Sequence, residues 1–168
     1  MMKQLLCALV VLLTFTSQVS GQKKTGNVAL KAIFNSAGNI TLPTTIPNLT
    51  RQLGNKPKEI NDDVHSTAYE WQLPNGVNIS TLGEPNDIFA VFLESKTTTA
   101  VGGLPYKLVL NETSKTSCNT TFRAFNVQPW GESGLTFKRD GLFNYLDFNM
   151  DGKLVSVSQS TFDFNTIN

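Results

Sequence analysis

The chain has one histidine, His65, and two cysteines, Cys7 and Cys118. Any imidazole-dependent chemistry must therefore run through His65. A serine or cysteine nucleophile would need it as a base, and a transition-metal site would need it beside Cys118 and carboxylates. Neither arrangement has sequence support. No serine sits in a G-x-S-x-G turn, no metal-ligand spacing occurs, and Asp62-Asp63-Val64-His65 reads as a solvated loop. Phosphate-cradling glycine patterns are absent, and Gly102-Gly103 precedes an expected strand rather than a helix. Glu70 and Glu94 could pair as glycosidase carboxylates only if the fold brings them to a suitable separation. Asp147 to Gly152 follows the first six positions of a D-x-N-x-D-G calcium loop, which would use Asp147, Asn149 and Asp151 as ligands. Such a loop closes with a bidentate glutamate at position twelve, and Ser158 stands there instead. The same residues suit a hairpin turn at Asp151-Gly152, and a turn is expected here. No catalytic set, cofactor or metal is expected.

Aromatic residues are the remaining chemical resource. Tyr69, Trp71, Trp130, Phe143 and Tyr145 fall on or beside expected strands and are the candidate binding residues. Alternation puts Tyr69, Trp71 and Leu73 on one face of a strand, with Glu70 and Gln72 on the other. In Leu142 to Phe148, Phe143 and Tyr145 oppose Leu146 and Phe148. A strand with large apolar groups on both faces points to one buried face and one exposed binding patch.

The elements that must position these residues follow from the pattern along the chain. Val28 to Phe34 is predicted as a strand and Asn55 to Ser66 as a loop. Ile46, Leu49 and Leu53 recur at i, i+3 and i+7 between a cap at Thr45 or Thr44 and Gly54, which predicts a helix of about two turns. Tyr69 to Leu73, Val77 to Ser80, Ile88 to Leu93, Leu135 to Phe137, Leu142 to Phe148 and Leu154 to Ser158 are predicted strands. Pro74-Asn75-Gly76 is a hairpin turn. A second short helix is expected over Thr113 to Thr120, capped by Thr113. The expected fold class is α+β, an antiparallel sheet with one or two short helices packed on one face, built as two degenerate repeats. The first half runs over 28–97, the connector over 98–103 and the second half over 104–168.

Composition and the N-terminus bear on the compartment. With 40% hydrophobic and 16% charged residues, the chain has enough apolar material for a core, which excludes disorder throughout. Lys3 is followed by an apolar run from Leu5 to Phe15 and a small, polar stretch to Gly21. This three-part pattern predicts a signal peptide over 1–21, cut before Gln22, and a flexible leader over 22–27. The apolar run would span about 16 Å, against a hydrocarbon core of ~30 Å. No transmembrane segment is expected after its removal. Formal net charge is +1, so there is no electrostatic basis for nucleic-acid binding. Cys118 would be the one cysteine of the processed chain; burial near Phe122 and Phe125 is its expected fate. Sequons at Asn39, Asn48, Asn78, Asn111 and Asn119 would be glycan acceptors in a eukaryotic secretory pathway. The lack of a disulfide pair favours a bacterial exported protein, secreted or periplasmic.

The order Leu42-Pro43-Thr44, Leu53-Gly54-Asn55-Lys56-Pro57, Tyr69-Glu70-Trp71 and Gly76-Val77 resembles the small modules of BamE-like outer-membrane assembly lipoproteins and the tandem modules of β-lactamase inhibitor protein. The resemblance covers residues 42–93 and, more faintly, 104–158. It implies helices on one sheet face and a protein-binding surface on the other. The functional expectation is thus an exported, non-enzymatic protein-interaction or envelope-associated module with another protein as partner. The alternative is a secreted hydrolase or carbohydrate-binding protein.

Overall fold

A computed structural model describes residues 30–62 and 66–166. The expected signal peptide, the leader and His65 lie outside these residues. In chain order the elements are α1 (Ile46–Leu53), β1 (Lys58–Asp62), β2 (Ser66–Gln72), β3 (Val77–Glu84), β4 (Asp87–Ser95), α2 (Lys115–Phe122), β5 (Gln128–Trp130), β6 (Gly134–Arg139), β7 (Leu142–Phe148) and β8 (Leu154–Ser160). The strands form one eight-stranded sheet in the order β1-β2-β3-β4-β8-β7-β6-β5, antiparallel at every pairing. It consists of two four-stranded meanders joined through their last strands, β4 and β8.

The expected α+β class is therefore corrected. One continuous antiparallel sheet dominates, and α1 and α2, of eight residues each, are minor additions to it. Three local readings also change. Residues 30–33 form a helical turn rather than part of a strand, because Leu30 and Ile33, at helical spacing, are the two residues buried there. The predicted loop at 55–66 contains β1, an edge strand of Lys-Glu-Ile-Asn-Asp that pairs with β2 from Lys58 opposite Glu70 to Asp62 opposite Ser66. β5 is likewise added, with Pro129 tolerated because the strand is at the sheet edge. Both edges lack apolar alternation and exist through their pairing.

The helices form for the local reasons read from sequence. The Thr45 hydroxyl accepts from Asn48 N at 3.2 Å, and Gly54 ends α1 in a left-handed conformation. The α2 cap is Ser114, whose hydroxyl accepts from Ser117 N at 3.2 Å, one residue later than expected. The Thr113 hydroxyl accepts from Val109 N instead. Leu49 and Leu53 of α1, with Cys118 and Phe122 of α2, enter the same core as the sheet.

That core is organised by one row of cross-strand neighbours: Trp71, Ile79, Leu93, Val157, Leu146 and Leu135, one from each of β2, β3, β4, β8, β7 and β6 in sheet order. All six are buried. On the same face Gln159, opposite Asn144 and Val91, forms a buried polar anchor. Its Oε1 accepts from Ile40 N at 2.6 Å and its Nε2 donates to Asn144 Oδ1 at 2.7 Å. This fastens the turn before Ile40 to the sheet. Cys118 is fully buried, and burial pushes its thiol up to about 11, so it stays a neutral packing group.

The β7–β8 hairpin turns over Asn149 to Lys153. Asn149 Oδ1 accepts from Asp151 N at 3.1 Å and Lys153 N at 2.9 Å. Gly152 has φ +68° with open space around it, and its carbonyl accepts from Lys115 N at the start of α2. Replacing Gly152 by valine should therefore lower stability by about 1–3 kcal/mol through backbone strain alone. Chemical denaturation would measure this, and an unchanged midpoint would contradict it.

Candidate functional site on the open sheet face

Because side chains alternate, the sheet has a second face that neither helix covers. Its central row is Glu70, Ser80, Phe92, Ser158, Tyr145, Thr136 and Gln128, running from β2 to β5. Beside it runs a polar row of Gln72, Asn78, Glu94, Ser156 and Asp147. The β8 positions on this face are all serine, which leaves a low floor between the larger side chains of β4 and β7.

Aromatic rings form a ladder across this face. Trp130 lies 4.6 Å from Tyr145, Tyr145 lies 5.1 Å from Phe164, and Phe164 stacks 5.9 Å from Phe92, all between centroids. Phe143 adds a flank, with Lys138 Nζ 4.7 Å above its ring. Trp130, Phe143, Phe92 and Phe164 are half-buried. Tyr145 is covered, and burial pushes its hydroxyl up to about 12. That hydroxyl donates to Asp163 Oδ1 at 3.1 Å and accepts from Phe164 N at 2.8 Å.

A missing side chain makes the ladder possible. Trp130 is on the edge strand β5 and Tyr145 is two strands away on β7. Gly134 of β6 lies between them. A Cβ at Gly134 would sit 2.6 Å from Trp130 Cδ1 and 3.0 Å from Asp147 Oδ1. The indole can thus lie across β6 and reach both Tyr145 and Asp147. Burial raises the Asp147 carboxyl above its usual range, and Glu94 adds to the rise. Ser156 and Trp130, as donors facing it, offset part of this.

The five candidate binding residues thus fall on two faces. Trp130, Phe143 and Tyr145 share the open one. Trp71 is fully buried on the covered face, where its indole N–H donates to Asn55 O at 3.0 Å. Tyr69 packs half-buried at the end of the same face. Phe92 and Phe164 are neighbours that the sequence pattern does not single out, and Asp147 and Glu94, which it offers only as a calcium ligand and a glycosidase carboxylate, stand beside them. The near-continuous run Ile88 to Leu93 concealed which face Phe92 takes, and nothing local signals that Phe164 returns to the sheet.

Other candidates have different uses. In the calcium-loop reading Asp147, Asn149 and Asp151 would converge, whereas Asn149 Oδ1 caps the turn, Asp147 faces Ser156 and Trp130, and Asp151 is exposed. Among the described residues no group of three or more histidine, cysteine, aspartate or glutamate side chains is placed to hold a metal. Glu70 accepts from Asn78 Nδ2, and Glu94 pairs with Lys96. A polar cleft of 380 Å³ lined by Asn55, Lys56, Lys58, Glu70 and Gln72 opens at the β1 edge. Three sequon asparagines are structural donors: Asn39 Nδ2 to Asp140 at 2.8 Å, Asn78 Nδ2 to Glu70, and Asn111 Nδ2 to Ser95, Thr97 and Thr99. Asn48 and Asn119 are exposed.

Comparison with known proteins finds no matching family model, curated protein or solved structure.

Two outcomes follow from the Gly134–Asp147 geometry. Gly134→Ala should displace the indole and change Trp130 fluorescence, with a stability loss of about 1–3 kcal/mol from overpacking. An unaltered spectrum would contradict this. For Asp147, a carboxyl raised in the fold favours the folded state when protonated. That contribution is complete below the unfolded carboxylate pKa and is lost as pH rises through the folded value. Asp147→Asn should therefore melt progressively higher relative to the parent protein as pH rises from 3 (about one unit below the ordinary value) to 7. A constant difference across that range would overturn the assignment.

Proposed function

We propose that this chain is an exported protein-interaction module, secreted or periplasmic, that presents the open face of its sheet to a partner protein. The observation that carries this reading is the aromatic ladder on the face opposite the helices. Half-buried Trp130, Phe143 and Phe92 stand there among Glu70, Glu94, Asp147 and Lys138. Large, stiff aromatic groups inside a polar rim are the composition of protein-binding hot spots. Export rests on the three-part N-terminal pattern. The two meanders joined through β4 and β8 support a chain of two similar halves, as in the tandem modules that residues 42–93 resemble.

Capture experiments test the reading. The processed chain should retain a discrete protein from periplasmic extract or culture medium, and Asn119→Ala, on α2, should retain it equally well. Trp130→Ala/Phe143→Ala should weaken retention at least ~10-fold, since hot-spot truncations cost about 2 kcal/mol or more. Equal capture by the double variant would sink the proposal. Retention of polysaccharide instead, lost in the same variant, would transfer the face to carbohydrate binding.

A further inference from the structure

The C-terminal segment after β8 folds back over the open face. Thr161 N still donates to Phe89 O at 3.0 Å, and the chain then leaves the β4 ladder. Phe164 sits between Phe92 and Tyr145, above Ser158, which stands between those two in register. Ser158 and Ser160 are buried although they lie on the face without helices.

The attachment is slight. Among the described residues, two hydrogen bonds tie residues 162–166 to β7, both at the Tyr145 hydroxyl: from Phe164 N and to Asp163 Oδ1. The segment's other bonds are to itself or to the adjoining Ser160. Phe162 N donates to Ser160 Oγ, Asn165 N and Nδ2 donate to Asp163 Oδ1, and Thr166 N and Oγ1 both donate to Asp163 O. Phe162, Asn165 and Thr166 are exposed. The segment is a self-capped turn held by one aromatic side chain and one hydroxyl, which is how a short peptide binds a protein surface rather than how a core strand is held.

We infer that Phe162–Thr166 is a built-in ligand of the open face, and that the partner this face takes is a peptide segment carrying an aspartate followed by an aromatic residue. The inference rests on the reading of the open face as a binding surface. The partner's ring would enter between Phe92 and Tyr145. Its backbone N–H would donate to the Tyr145 hydroxyl, and its carboxylate would accept from it. The tethered segment competes at the high effective concentration of a short link, so an incoming segment must displace it.

The test uses the processed full-length chain, its Phe164→Ala variant and a capped peptide of residues 161–166, with binding followed by Trp130 fluorescence and calorimetry. Phe164→Ala should remain folded and bind the peptide at least 10-fold more tightly than the parent chain, whose site is occupied. The same peptide with alanine for Phe164 should show at least 10-fold weaker binding. Adding Tyr145→Phe to the variant should weaken uptake of the unaltered peptide. No binding of the peptide to a folded Phe164→Ala chain at millimolar concentration would overturn the inference, as would equal binding of both peptides. Unfolding of Phe164→Ala would also overturn it, by making the segment part of the core. Partner capture that depends on Trp130 and Phe143 while the peptide fails would leave the open-face reading standing and remove only the peptide chemistry.

Discussion

The structure depends on the pairing of β4 with β8. Each meander has only four strands, and each has one apolar face. Pairing Leu93 with Val157 joins the two and turns two short hydrophobic stripes into one row from Trp71 to Leu135. Four-stranded layers of this size would each bury a small core under one eight-residue helix, which is marginal without disulfides. The joined sheet buries one common core under both helices, and it removes two edges that would otherwise be open to association. The Gln159 anchor sits at this seam and adds a polar requirement to the apolar one. A register slip of one residue would put Gln159 on the open face and a serine under the helices.

Joining the meanders also makes the open face. It takes Phe92 from the first half and Tyr145 from the second and sets them on either side of Ser158. Neither half alone has the groove that receives Phe164. Serine at three alternate β8 positions, Ser156, Ser158 and Ser160, gives the seam a low floor on this side, while Val157 and Gln159 fill the other. The strand thus serves two incompatible surfaces through its alternation.

Gly134 has a similar double effect at the edge. By carrying no side chain it weakens β6 intrinsically, yet it admits the Trp130 indole across the strand. The indole then covers Tyr145 and faces Asp147, removing water from a carboxyl that would otherwise be well solvated. Placement of one glycine therefore determines both the reach of the indole onto Tyr145 and the electrostatics beside it.

The sequence alone specified the elements whose signals are local. A threonine cap, Gly54 and the spacing of Leu49 and Leu53 defined α1, apolar runs and alternation together defined the central strands, and alternation defined the opposed faces of Leu142 to Phe148. It also placed Cys118 in the core and the β7–β8 turn before Leu154. Tertiary structure decided the fold class, because β1 and β5 are strands only by hydrogen bonding to a neighbour and carry no apolar period of their own. It decided which aromatics share a surface, because Trp71 and Tyr145 look alike in pattern while lying on opposite faces. It brought Phe92, Phe164, Glu94 and Asp147 to that surface from separate segments. Contacts of that kind are set by strand order and register across the β4–β8 seam, and no window of consecutive residues contains that information.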